Sequence, residues 1–333
     1  MLNRILQPIE NAIANFHGAD RWIGSGRTLI ALAQLSILCF TPTAYLFVPV
    51  SGEPQKPHCE GWKGLTAYCL GNDDFRPWVS ILLIALLMVV ASGFFPALTA
   101  VPHYWATVSI STGISLPDGG EAAAQVITLF LVFLLLGDRR KTHWHRASPS
   151  TRPRNVLLGL TWAAHWGLRL QMAWIYVNAA IPKLSVQEWK DGTAVYYITR
   201  GEFFGAPKYL QELIYWATSM PLVELMLTWG TIAAELTIAY FLIFGKKRTR
   251  LVSLALCVAL HAGIIAVIGL WSFALVMIGG VAAAMAGIQL RRQVHAPGAQ
   301  RSAPITAAPA DFTGVNSLGS SDKHSTSPLV KGI

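Results

Sequence analysis

The sequence predicts an all-α fold: a polytopic membrane bundle of about eight transmembrane helices, preceded by an amphipathic helix. Three observations predict it. Apolar side chains make up 53% of the 333 residues and charged ones only 13%, where a soluble domain carries about 25% charged residues. The apolar residues fall into runs close to the roughly 20 residues that cross a bilayer. Finally, the lysines and arginines cluster in short stretches between those runs, as they do when they orient a membrane protein. The net charge of +9 therefore does not point to nucleic acid, and no nucleic-acid site is read here.

In chain order, residues 1–26 read as an amphipathic segment rather than a cleaved signal. Leu2, Ile5, Leu6, Ile9, Ile13 and Phe16 recur at helical spacing, opposite a polar face with Arg4, Glu10 and Asn11. The pattern fits a helix lying in the membrane interface and equally a short helix packed on the bundle. Eight spans follow, at 28–50, 78–98, 100–116, 121–137, 156–184, 220–245, 251–270 and 272–290. The third carries His103, Thr107, Ser109, Ser111, Thr112 and Ser115, too polar for lipid, so it is expected inside the bundle.

Charge parity requires that third span. Arg139, Arg140, Lys141, Arg146, Arg152 and Arg154 form one basic loop, Lys246, Lys247, Arg248 and Arg250 a second, and Arg291 and Arg292 open the tail. All belong on the cytoplasmic side together with Arg4, Arg21 and Arg27, which demands an even number of crossings before the first loop. Both termini are then inside. Residues 51–77, the turn Pro117 to Glu121 and residues 185–219 face outward. Domains are expected as 1–26 (amphipathic helix), 27–292 (transmembrane domain) and 293–333, a disordered cytoplasmic tail rich in Ala, Pro, Ser, Thr and Gly.

Cys59 and Cys69 share the first outer loop, on the oxidising side. A local Cys59–Cys69 disulfide is expected, with two free thiols as the alternative. Cys39 and Cys257 lie within spans, and no metal-ligand spacing appears.

Ionisable residues inside spans are costly and need partners. His165 and Arg169 lie four apart on one face of the fifth span, Glu235 is in the sixth and His261 in the seventh. Counted from the cytoplasmic ends at about 1.5 Å per residue, His165, Glu235 and His261 fall roughly 13–15 Å deep and Arg169 one turn beyond. The preferred pair is Arg169 with Glu235, the histidines completing a network. Such a network either fixes helix packing or serves as a proton path or histidine–carboxylate metal site.

Residues 181–198, "IPKLSVQEWKDGTAVYYI", close the fifth span on Pro182 and Lys183. Proline disrupts the helical ladder and would aim Lys183 away from the helix axis, at the outer rim. There a lysine either snorkels to headgroups or, partly desolvated beside Trp189, Asp191 and the tyrosine pair Tyr196–Tyr197, serves as a base. Tyr209, Leu213 and Trp216 suggest a later amphipathic helix on the membrane surface.

The chain resembles the SdpB family of antimicrobial-peptide system proteins. The resemblance rests on Asp118-Gly119-Gly120-Glu121 before a span closing Leu136-Gly137-Asp138-Arg139-Arg140-Lys141, on "IPKLSVQEW" followed by "GTAVYYI", and on "FFGAP" at 203–207. It covers roughly residues 20–290. It implies a bacterial cell membrane protein, beside membrane lipids, that helps to mature an exported peptide toxin, acting with an SdpA-type partner on an SdpC-type precursor. The family belongs to the wider HTTM domain shared with vitamin K-dependent gamma-glutamyl carboxylase. In the carboxylase a similar span ends in a catalytic lysine followed by leucine, an acidic stretch and tryptophan, which Lys183, Leu184 and Trp189 resemble. This chain lacks the carboxylase's histidine, where it has Asp118 and Glu121, and its large extramembrane domain. Those departures argue against a vitamin K-type quinone, and no cofactor motif is visible. A maturation factor comes first, a non-catalytic chaperone, export or immunity partner second, and a quinone-dependent carboxylase or oxidoreductase third.

Overall fold

The computed structural model describes residues 18–49, 56–115, 118–145, 155–202 and 205–287, together with Gln7, Glu10–Ile13 and Phe16. Leu2, Ile5, Leu6 and Ile9 of the N-terminal segment, Pro117, Arg146, Arg152 and Arg154, the span residues beyond Gly287 and the tail 293–333 lie outside them.

Among the described residues the protein is helical, without a named strand. Eight long helices run α1 (Arg21–Phe40), α2 (Arg76–Ser92), α3 (Pro96–Gly113), α4 (Gly119–Leu135), α5 (Asn155–Lys183), α6 (Pro221–Phe244), α7 (Lys247–Ile268) and α8 (Trp271–Ala284). By length and composition α1, α6 and α7 can cross a membrane, and α2, α4 and α8 are shorter apolar helices. This is a membrane protein.

The ends of α1 differ from the expected span. Asp20 starts the helix seven residues early by accepting from Trp22 N at 3.0 Å, and its other oxygen takes Gly287 N at 2.7 Å. One side chain thus ties the start of α1 to the turn after α8. At the other end the helix stops at Phe40, where Thr41 and Pro42 turn the chain into the short helix Thr43–Leu46. α8 is also shorter than its span: 14 residues rise about 21 Å, and the helix gives way to a turn that closes on Gly287 at φ 81°.

The tight seam between α1 and α8 explains the glycines there. A methyl group on Gly279 would lie 2.7 Å from Gly26 O and 2.9 Å from Ile30 Cγ1, backbone and packed core rather than movable tips. Close backbone approach of this kind holds helices together where lipid offers no hydrophobic drive. Gly279→Ala is expected to cost about 1–3 kcal/mol through overpacking. Chemical unfolding of the purified protein, wild type against variant, checks it; equal midpoints would show that the seam has slack.

α3 spends its polar residues on α1. Gln34 Nε2 donates to Thr107 Oγ1 at 2.8 Å, and His103 Nε2 donates to Gln34 Oε1 at 3.2 Å. Ser109 Oγ accepts from Ala67 N at 2.9 Å, seating the loop between α1 and α2 on the bundle. In that loop Cys59 and Cys69 form a disulfide with Cα atoms 5.5 Å apart. Tyr68 beside it is buried against Ser80 and Phe47, and burial raises its phenol above the usual range.

α5 does not break at Pro182. The helix runs through it, and Lys183 is its last residue. So near the C-terminus proline forfeits one ladder bond, and three turn bonds take over: Leu184 N to Ile181 O, Ser185 N to Pro182 O and Val186 N to Lys183 O.

Candidate functional site

Lys183 Nζ donates to Glu235 Oε1 in an ion pair, the side chains 20% and 9% exposed. The two residues come from the end of α5 and the middle of α6. In a helix each side chain points back toward the N-terminus, so Lys183 reaches down α5 rather than outward. The lysine head is therefore level with the middle of α6. Trp189, on the short helix Gln187–Lys190, covers it, with Nζ 4.9 Å from the ring centre. Glu235 Oε2 is buried with no hydrogen-bond partner.

Asp191 does not join them. Its carboxylate is turned to solvent and accepts from Gln187 Nε2 at 2.8 and 2.9 Å, because Gln187 and Asp191 stack four residues apart.

The segment above the pair packs along the first half of α6. Gly192, at φ 76°, makes the turn between Gln187–Lys190 and the helix Ala194–Thr199. Val195 N donates to Thr228 Oγ1 at 3.3 Å and Tyr196 N to Glu224 Oε1 at 2.7 Å, so Glu224 anchors the start of that helix. Arg200 lies between the rings of Tyr196 and Tyr215, 3.6 and 4.2 Å from their centres, and donates to Thr218 Oγ1 at 2.9 Å. It joins the helix Ala194–Thr199 to the helix Gln211–Thr218, whose Leu213 and Trp216 are exposed. Sequence reasoning missed Glu224; its only signal was a carboxylate one turn inside an apolar span.

The expected network of His165, Arg169, Glu235 and His261 does not form. Arg169 donates from Nε to Leu242 O at 2.9 Å and from Nη2 to Leu242 O and Ile243 O, capping the C-terminal carbonyls of α6. Its guanidinium also lies 4.1 Å above the Trp166 ring. His165 Nε2 donates to Ala284 O at 3.2 Å and its ring stacks on Phe16. His261 Nδ1 donates to Cys257 O at 2.9 Å, and Tyr176 OH meets Cys257 Sγ at 3.2 Å. Equal depths along the chain bring residues together only where the helices start in one plane. They do not: Arg169 sits level with the end of α6, which carries Glu235 two turns toward Lys183.

Asp118 caps α4, accepting from Gly120 N at 2.6 Å, and its Oδ2 accepts from Ser272 Oγ at 2.7 Å, so it links α4 to α8. Glu121 is buried, with Oε2 unpartnered. Asp118 and Glu121 thus stand on α4, at a different place from Lys183 in the described contacts.

The segment after α4, read as part of a basic loop, is folded inward. Arg140 is buried and forks onto Asp138: Nε to Oδ1 at 2.8 Å and Nη2 to Oδ2 at 2.6 Å. Its Nη1 holds His143 O at 2.9 Å and His145 O at 2.8 Å. The knot bridges to the α2–α3 turn through His143 N to Gly93 O at 3.0 Å. Burial first, then Arg27 and Arg140, push the His143 imidazole down to about 4.

No group of three or more His, Cys, Asp or Glu able to hold a metal ion occurs among the described residues. With this geometry in place, two curated relatives from Bacillus subtilis strain 168 bear on identity. The uncharacterized protein YitO is 33% identical over 287 residues, covering 83% of this chain and 89% of YitO. Sporulation-delaying protein SdpB is 29% identical over 288 residues, covering 84% of this chain and 85% of SdpB.

The chain belongs to the SdpB-like family.

No family model and no solved structure matches it. Each alignment is long enough to take in the stretch from α1 to α8.

Proposed function

We propose that this protein is a multi-pass membrane component of a toxin system of the sporulation-delaying kind, required to mature an exported antimicrobial peptide, with Lys183 and Glu235 as its reaction centre. The observation that carries the reading is the Lys183–Glu235 pair under Trp189, which joins the end of α5 to the middle of the apolar helix α6, in a chain similar to SdpB along most of its length. Ionisable pairs at such depth are expensive and are kept where they act.

In the proposed arrangement eight helices cross the membrane and both termini, including the tail 293–333, are cytoplasmic, because the basic stretches 139–154, 246–250 and 291–292 lie on that side. The disulfide loop and residues 185–219 then face outward, where an SdpC-like precursor and an SdpA-like partner meet the protein. The chemistry asked of the pair is a proton transfer. The ammonium of Lys183 passes its proton to the Glu235 carboxylate, giving an amine and a carboxylic acid with no change in total charge. The amine nitrogen then takes a proton from the substrate. Exclusion of water by a bound peptide favours the neutral pair, since two separate charges lose their hydration there.

A second reading is favoured by the closed pair itself: a lysine held as an ammonium by Glu235 is a fixed charge for binding, as in a chaperone, export or immunity partner. Lys183→Arg separates the two, because arginine keeps the charge and does not give up its proton. Mass spectrometry of the secreted peptide is the measurement, from cells with the protein, without it and with the variant. Mature peptide is expected to vanish without the protein, and in Lys183→Arg to fall about 10²-fold or more. Unchanged peptide without the protein refutes the maturation role; full product in Lys183→Arg favours binding.

A further inference from the structure

The end of the bundle where α4 closes and α3 begins holds a charge cluster that the proposed chemistry does not use. Arg27, in α1, is 0% exposed. Its Nη2 donates to Thr99 Oγ1 at 2.6 Å, while Nε and Nη1 are buried with no partner. The acid in its neighbourhood, Asp138, is already taken. Oδ1 accepts from Arg140 N at 3.1 Å and Nε at 2.8 Å, and Oδ2 accepts from Nε at 3.1 Å and Nη2 at 2.6 Å. Thr99 offers Arg27 only an acceptor, since its hydroxyl hydrogen goes to Phe94 O and Phe95 O.

The charge balance is then plain. Arg27 and Arg140 supply two positive charges, Asp138 supplies one negative, and all three side chains are buried. His143, also fully buried, leaves Nδ1 without a partner, as an acceptor that offers an anion nothing. Its Nε2 lies 3.3 Å from Thr28 Oγ1, whose own hydrogen goes to Ala91 O at 2.9 Å. An uncompensated buried charge costs several kcal/mol, and a structure that keeps one pairs it. Water could meet two N–H donors but would leave the charge standing.

We infer that Arg27 binds one small inorganic anion of the halide class, held by its Nε and Nη1 and closing the charge of the Arg27–Asp138–Arg140 cluster. Size follows from the packing. Arg27 is 0% exposed, so nothing as large as a lipid headgroup reaches it. A monoatomic ion asks for less room beside two N–H donors than an oxyanion of several atoms. The site joins α1, α3 and the segment after α4, so its occupant acts on stability at this end of the bundle rather than at Lys183.

The test uses the full chain purified in detergent. Thermal unfolding is followed while chloride or bromide replaces gluconate at constant ionic strength. The expected result is a saturable rise in unfolding temperature with halide, lost in Arg27→Met, and an anomalous bromide signal beside Arg27 in crystals grown from bromide. Should Arg27→Met fail to accumulate, the wild-type titration and the bromide signal decide alone. Equal unfolding temperatures in gluconate and halide, with water or a direct Arg27–Asp138 bond at the site, overturn the inference.

Discussion

Replacing Glu235 by glutamine is expected to cut the yield of mature peptide by about 10²–10⁴-fold, the range in which a positioned acid–base group contributes to a rate. The substitution keeps the shape of the side chain and an acceptor for Lys183 Nζ, but removes the carboxylate that receives the lysine proton. Protein level is expected to fall far less. Deleting one partner of a buried pair costs about 3–5 kcal/mol when the other is left charged, yet Lys183 has two ways to lower that cost. It keeps the Trp189 ring, and the glutamine oxygen still accepts from Nζ. Two further variants divide structure from chemistry. Glu235→Asp restores the charge on a shorter arm and should recover part of the product. The double substitution Lys183→Met with Glu235→Leu removes both charges, so it should accumulate normally and yield no mature peptide. Normal product from Glu235→Gln, measured by mass spectrometry beside immunoblot levels, would end the proposal that this pair is a reaction centre.

The helices were legible because apolar runs and their breakers are local facts. Gly269, at φ 73°, ends α7 close to the expected end at 270, whereas Gly93, at φ 86°, ends α2 at Ser92, well short of the expected end at 98, and α3 starts at Pro96 within that span. What could not be read was the stagger between helices. A residue's depth depends on where its helix starts relative to its neighbours, and that is set by packing at distant places such as Gly26 against Gly279. An error of two turns was enough to assign Glu235 to Arg169 instead of Lys183. The direction of the Lys183 side chain was a second loss, since a proline before it suggested a break that the last turn of a helix absorbs. The third concerns charge. A basic loop shows its sign in the sequence but not its burial, so Arg140 looked the same as Arg139 and Lys141 although it is folded onto Asp138.

That third case carries the largest stability effect expected in the molecule. In Asp138→Asn the fork under Arg140 loses its charge, and two buried guanidiniums, Arg27 and Arg140, remain without any carboxylate. The cost of leaving a buried charge unpaired, about 3–5 kcal/mol, is a large share of the 5–15 kcal/mol that separates folded from unfolded protein. Arg140 also organises backbone, holding His143 O and His145 O, and through them the bridge to Gly93 and Phe95. The segment 136–145 should therefore detach before the bundle does, becoming open to protease while α5 and α6 still hold Lys183 against Glu235. Arg140→Lys tests the same fork from the other side. It keeps the charge but replaces a planar pair of donors by one point, so it should lose the two carbonyl contacts and part of the stability. Limited proteolysis mapped by mass spectrometry, with denaturant unfolding of the same samples, reads both effects. Wild-type resistance at 136–145 in Asp138→Asn would mean that the hydrogen bonds alone hold the knot, since one anion on Arg27 would balance only one of the two remaining positive charges.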